Sequence, residues 1–306
     1  MHYNQEQSTF LIGTKSMMNG LLRILPLLSL LTAITIWASV PTITKVALSH
    51  VSLISFLMLR YVFSGVIMLP YLRSLYRGAR QLSWRSWLVL VASSCLLIFV
   101  QSWSIQQVSA SWYIIVFSSC PVLIALCLRY RFTRLSIAGL LLTIAGLILY
   151  ISDSHSASTP FNLWALLGTF AGMLSWVAYS VVITRFHSVY DDMQITAICT
   201  YIGAVFSIVL CAWSGDTSFV RTSVSVALWT GLSGAVMPLS LLCYSYSMRK
   251  TEALTIFGQY LEPIIGLLIA FLIFGTALSA HSCLALVLIL GGTIAVTHFS
   301  IKPAHQ

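Results

Sequence analysis

The chain has 306 residues, of which 58% are hydrophobic and only 8% charged, and its formal net charge is +9. A mean hydropathy of +0.93 exceeds what the surface of a water-soluble domain tolerates, which excludes a soluble enzyme or soluble binding module and predicts a polytopic membrane protein. The positive balance does not make nucleic acid a partner, because the basic residues lie in short segments beside apolar stretches, where lipid headgroups and the orientation rule account for them.

Residues 1–22 are polar and are expected to form a cytoplasmic tail. The apolar run after them is too long for a signal-peptide core and lacks a clear small-x-small cleavage site, so the first span should be retained. A helical span needs about 20 apolar residues. Such spans are predicted near 24–46, 52–72, 87–106, 110–128, 134–151, 162–184, 193–213, 224–246, 254–274 and 281–299. A membrane barrel would alternate polar and apolar residues, whereas the run from Leu261 to Phe274 is apolar apart from Glu262. The connections are too short to hold a soluble catalytic or nucleotide-binding domain, and no Gly-x-x-x-x-Gly-Lys-Ser/Thr loop is present.

With the N-terminus inside, the internal segments collect Lys15, Arg23, Arg73, Arg77, Arg80, Arg85, Arg129, Arg131, Arg134, Arg185, Arg249, Lys250 and Lys302. External loops hold only Arg221, with Lys45 at a span end. Both termini are therefore expected in the cytoplasm.

The second half of the chain echoes the first at an offset of about 140 positions. Ile36, Trp37 and Ala38 parallel Ser175, Trp176 and Val177, and Cys120-Pro121-Val122 parallels Glu262-Pro263-Ile264. Ala145-Gly146 likewise parallels Gly291-Gly292. A repeated unit with an odd number of spans must insert upside down relative to its copy. The expected architecture is an all-α integral membrane protein with ten transmembrane helices in two inverted five-helix repeats around a central cavity. The repeats are placed at 23–151 and 162–299, joined by an external loop at 152–161, with 300–306 as a cytoplasmic tail.

Gly168 and Gly172, Gly266 and Ala270, and the Gly139-Thr143-Gly146 stripe mark close helix approaches, read as packing inside one chain, with a homodimer face as the alternative. The seven cysteines (Cys95, Cys120, Cys127, Cys199, Cys211, Cys243, Cys283) are read as small packing residues, and no metal or other cofactor is expected. His50, His155, His187, His281 and His298 are scattered, without catalytic spacing, so an intramembrane enzyme is not the expected class.

Polar residues at membrane depth are the functional candidates. Arg60 near the middle of span 2 must face the interior, either bonded to backbone carbonyls or contacting substrate. Glu262 is the only carboxylate well inside a span. Pro263 after it lacks an amide hydrogen and should distort the helix, so Glu262 is expected at the central cavity, pairing with Arg60 or a cationic substrate group, or taking up a proton. Lys45 is expected to snorkel to the headgroups. Trp37 and Trp176 lie deeper than an aromatic belt requires and are candidate cavity linings, as are Gln101, Tyr244 and Gln259. Ser102, Trp103, Ser118, Ser119, Tyr246 and Tyr260 add further polar groups at that depth.

These motifs together resemble the EamA-type permeases of the drug/metabolite transporter superfamily. The resemblance rests on Trp37 with Lys45, Leu59-Arg60, Ser118-Ser119 with Pro121, Leu174-Ser175-Trp176 and Leu261-Glu262-Pro263, and spans residues 25–299. It implies a secondary transporter in the inner (plasma) membrane that moves a small-molecule metabolite such as an amino acid, with export favoured and uptake or exchange as the alternative. A channel or a non-transporting sensor is the reading from another class. The family's Gly-Glu-Arg-Leu-Ser/Thr signature after spans 4 and 9 is altered here. Tyr130 and Thr276 replace its two glutamates, so a gating role of those acids does not carry over.

Overall fold

The computed structural model describes residues 24–40, 43–44, 47–77, 81–107, 116–117, 119–153, 163–274 and 280–302. Lys45, Ser118, His155, Thr276, the 1–22 tail and most of the 152–161 loop lie outside the described residues. The helices are α1 (Ile24–Val40), α2 (Leu53–Ile67), α3 (Trp84–Gln107), α4 (Cys120–Cys127), α5 (Arg134–Asp153), α6 (Leu163–Phe186), α7 (Asp192–Ser214) and α8 (Val224–Lys250). The ninth apolar stretch is broken into α9 (Glu252–Gly258), a 3-10 turn (Gln259–Leu261) and α10 (Glu262–Phe274), and α11 (Ala280–Phe299) follows. Among the described residues, α3, α6, α7 and α8 are long and apolar enough to cross a membrane, with α1, α2, α5 and α11 contributing shorter apolar stretches.

The outer surface explains why these helices need a bilayer. Leu141, Ile148, Trp164, Val205, Leu228, Val287 and Ile294 are exposed, a surface stable only against hydrocarbon. Cys127 and Cys283 share that exposure, which corrects their reading as packing residues; Cys120, Cys199 and Cys211 are buried. Polar backbone groups at helix ends are satisfied locally. Asp191 and Gln194 form a reciprocal capping box at the start of α7, and Gly215 ends that helix at φ 64°.

Helix contacts run between the two halves of the chain. α5 packs along α11, α3 against α6, and α2 against both α7 and α8. The Gly168–Gly172 step is used inside the chain. A methyl on Gly168 would lie 2.5 Å from the Trp103 ring, and one on Gly172 3.6 Å from Phe117.

The α2–α8 crossing shows how one residue sets a close approach. Pro238 lies inside α8 and cannot donate to the carbonyl of Gly234, four residues back. Ser64 of α2 donates its hydroxyl to that carbonyl instead. The backbones meet so closely that a methyl on Gly234 would fall 2.1 Å from the Arg60 carbonyl oxygen.

A hydroxyl cluster ties α2 to the segment between α7 and α8. The Ser52 hydroxyl donates to Asp216, the Ser218 amide donates to Asp216 Oδ1 at 2.9 Å, and Ser218 Oγ donates to Ser55 Oγ at 2.8 Å. Burial pushes the Asp216 carboxyl up, but the hydrogen bonds from Ser52, Ser218 and Ser55 outweigh it and bring it from 3.8 to about 2. A depressed carboxylate pKa contributes stability at pH values above its unfolded value, and that contribution fades as pH falls through the folded one. Asp216→Asn should therefore lower the thermal midpoint of the purified protein at pH 7, and the gap to wild type should shrink as the pH is taken from 3.8 towards 2. A gap that is constant with pH would remove the assignment.

Candidate functional site

Aromatic side chains from three helices converge inside the apolar layer. Trp37 of α1 meets Trp176 of α6 edge-on at 5.0 Å and Tyr244 of α8 at 5.2 Å. Trp176 lies 5.1 Å from Tyr244 and stacks on Tyr179 at 5.3 Å. Such contacts contribute about 0.5–1.5 kcal/mol per pair beyond burial.

Trp37, Tyr244 and Trp176 each engage the polar edge of the ring. Trp37 Nε1 donates to Ser240 Oγ at 3.1 Å, the Tyr244 hydroxyl donates to Ser180 Oγ at 2.9 Å, and Trp176 Nε1 donates to Gln259 Oε1 at 2.8 Å. Gln259 in turn donates from Nε2 to the carbonyl of Ile256 at 3.2 Å, so its oxygen is aimed at the indole.

Gln259 opens the 3-10 turn that interrupts the ninth stretch, and the reason is Pro263. Lacking an amide hydrogen, Pro263 leaves the Gln259 carbonyl without its helical donor; the tighter turn lets the Glu262 amide donate to it. The distortion expected at Pro263 is this turn. It places Glu262 three residues beyond Gln259, at the first position of α10. Glu262, Leu261 and Pro263 are partly exposed and Ser119 is exposed, whereas Thr255, Ile256, Phe257 and Gly258 are buried.

The structure thus brings together Trp37, Trp176, Tyr244 and Gln259, with Glu262 one turn further along. Arg60 belongs to α2 and Gln101 to α3. Among the described residues no ion pair joins Arg60 to Glu262. Arg60 is buried on α2, its guanidinium 5.6 Å from the Phe56 ring centroid and its Nε without a hydrogen-bond partner. Gln101 is partly buried at the α3–α6 contact, its backbone nitrogen 3.8 Å from where a methyl on Gly172 would sit.

Sequence reasoning passed over Tyr179, Ser180 and Ser240. Tyr179 and Ser180 follow Trp176 by three and four residues, and Ser240 precedes Tyr244 by four, so each shares a helix face with a residue that was singled out. That spacing was the available signal.

Chemically, the cluster offers aromatic faces that suit a cation or an apolar ring, one amide and one carboxylate. Trp176→Phe keeps most of the ring but removes the donor to Gln259. If this cluster holds the solute, the concentration for half-maximal flux should rise about fivefold to tenfold, since a lost hydrogen bond costs about 1 kcal/mol; an unchanged half-saturation would exclude Trp176 from the site.

The model of the EamA-like transporter family matches the chain twice, over residues 24–152 and 163–298. A solved crystal structure of a protein with no stated function is similar with a TM-score of 0.69 at 18% identity, covering 89% of this chain and 96% of that one, a likeness that concerns the fold alone. No curated protein matches the chain.

Proposed function

Since the chain belongs to the EamA-like transporter family, and so is a multi-pass membrane transporter of the drug/metabolite type, we propose that it exports a small polar or amphipathic metabolite, an amino acid or related compound, by alternating access. The transporter is secondary, placed in the inner (plasma) membrane with both termini in the cytoplasm. Its energy comes from a proton gradient or from exchange. The two matched segments are the halves of an inverted pair, each with five spans.

The observation that carries this reading is the aromatic cluster built jointly by the two halves. Trp37 from the first and Trp176, Tyr244 and Gln259 from the second meet at membrane depth, with Glu262 three residues beyond Gln259. A carboxylate left in hydrocarbon is costly, so an acid held inside this apolar stretch fits a polar chamber between the halves. The helix contacts support a two-fold arrangement: α3 packs on α6 while its counterpart α8 packs on α1 through Tyr244 and Ser240. An ammonium group of the solute would sit against Glu262 and its apolar part against Trp37 and Trp176.

The test is flux in proteoliposomes holding the purified protein, with each radiolabelled amino acid supplied in turn. Saturable flux with countertransport is expected, and comparison of intact cells with inverted vesicles gives direction. Flux without saturation would favour a channel, and binding without flux a sensor; either would overturn the reading.

A further inference from the structure

The two halves of the chain are also joined where the start of α9 meets the ends of α4 and α11. Glu252, the first residue of α9, receives Lys302 Nζ on both carboxylate oxygens, at 2.6 and 2.7 Å. The Tyr130 hydroxyl donates to Glu252 Oε1 at 2.9 Å. Burial, then the charge of Glu252, pushes the Tyr130 hydroxyl pKa up, so the phenol keeps its proton and remains a donor.

An aromatic layer lies beneath these polar contacts. Phe257 is fully buried and meets Tyr130 at 6.2 Å and Phe132 at 6.3 Å, both edge-on. Lys302 is held over the layer by a short antiparallel pairing, β1 (Arg131–Phe132) with β2 (Ser300–Ile301), in which Arg131 faces Ile301 and Phe132 faces Ser300. Thr133 Oγ1 adds a bond to the Phe299 carbonyl at 3.1 Å. Exposure changes across this layer. Ile256, Phe257 and Gly258 are buried, whereas Leu261 to Pro263 beyond them are partly open.

We propose that this cluster is the gate at the Lys302 face of the protein, with Phe257 as its plug and Glu252 as its latch. The inference rests on the alternating-access reading above. α9 cannot swing away from α4 and α11 without Glu252 losing donors from two separate segments, so the latch holds the chamber closed on this side while Glu262 faces the other. Charge-assisted bonds of this kind are stronger than neutral ones, and their loss shifts the population towards the state open at the Lys302 face.

The gate is tested in the full-length chain with every cysteine except Cys120 replaced. Cys120 is 1% exposed, and its thiol donates to the Met173 carbonyl at 3.9 Å. The readout is its labelling rate by a membrane-impermeant maleimide applied from the Lys302 side of sided vesicles. Glu252→Gln and Phe257→Ala should each raise that rate about tenfold, and Tyr130→Phe by less. The double exchange Glu252→Lys with Lys302→Glu should return it towards the parent value, which a damaged fold would not do. Parent-like labelling in both Glu252→Gln and Phe257→Ala, or no recovery in the exchange, overturns the gate. Failure of the transport reading is separate: it appears as absent saturable flux in the parent, whereas failure of the gate leaves that flux intact and labelling unresponsive.

Discussion

Glu262→Gln is expected to lower flux at least about tenfold and to flatten its pH dependence, because an amide keeps the size and the hydrogen-bonding reach of the side chain but neither its charge nor its proton. The position makes the charge consequential. Glu262 follows the 3-10 turn at Gln259–Leu261, and among the described residues it belongs to no ion pair. An acid placed inside an apolar stretch costs about 2.5–3.5 kcal/mol on insertion scales, so one that is not neutralised by a neighbouring base is held at the expense of stability. The variant should fold at least as well as wild type, since it removes that cost, and an unchanged thermal midpoint would show that lost flux is not lost protein. Flux measured in proteoliposomes across a range of pH decides it. Wild-type rates with a wild-type pH profile would remove Glu262 from coupling and from substrate contact together.

The candidate site was partly legible in the sequence because two different signals reach it. The repeat offset aligns Trp37 with Trp176, and these two rings touch. The proline rule marks Pro263, and the helix tightens there. Pairing across the fold was not legible. Arg60 and Glu262 are the obvious complementary charges, yet Arg60 is fixed by its backbone against Gly234, where Pro238 and Ser64 set the approach of α8. Which faces meet is decided by such small-residue contacts, not by charge.

The same limit applies to the ends of the helices. Hydropathy places α3, α6, α7, α8 and α11 to within a few residues, since span length answers to bilayer thickness. Lys302, however, reads in sequence only as an orientation charge, while in space it is an ion-pair partner of Glu252. The bonds that gather this cluster join residues 122 and 50 positions apart, and the β1–β2 pairing is only two residues long, too short to carry a pattern.

Gly292→Val should cost about 3 kcal/mol or more of stability, whereas Gly291→Val one residue away should be close to neutral. The difference lies in what each new side chain would meet. A methyl on Gly292 would fall 2.3 Å from Thr143 Oγ1, 2.5 Å from the Gly139 carbonyl and 2.6 Å from the Thr143 amide, so backbone on α5 would have to move. Gly139 and Gly146 continue the seam, with methyls there reaching 2.8 Å from the Val296 amide and 2.8 Å from Ile289 Cγ1. α5 and α11 are thus locked along three steps by the absence of side chains, and prising one step apart forfeits dispersion contacts at the others. A methyl on Gly291 would approach nothing nearer than Leu142 Cδ2 at 3.7 Å, an ordinary contact on the exposed face of the same helix. Thermal midpoints of the two purified variants, measured in one detergent, separate these outcomes. Equal midpoints would mean that α5 and α11 do not meet at Gly292 and Thr143.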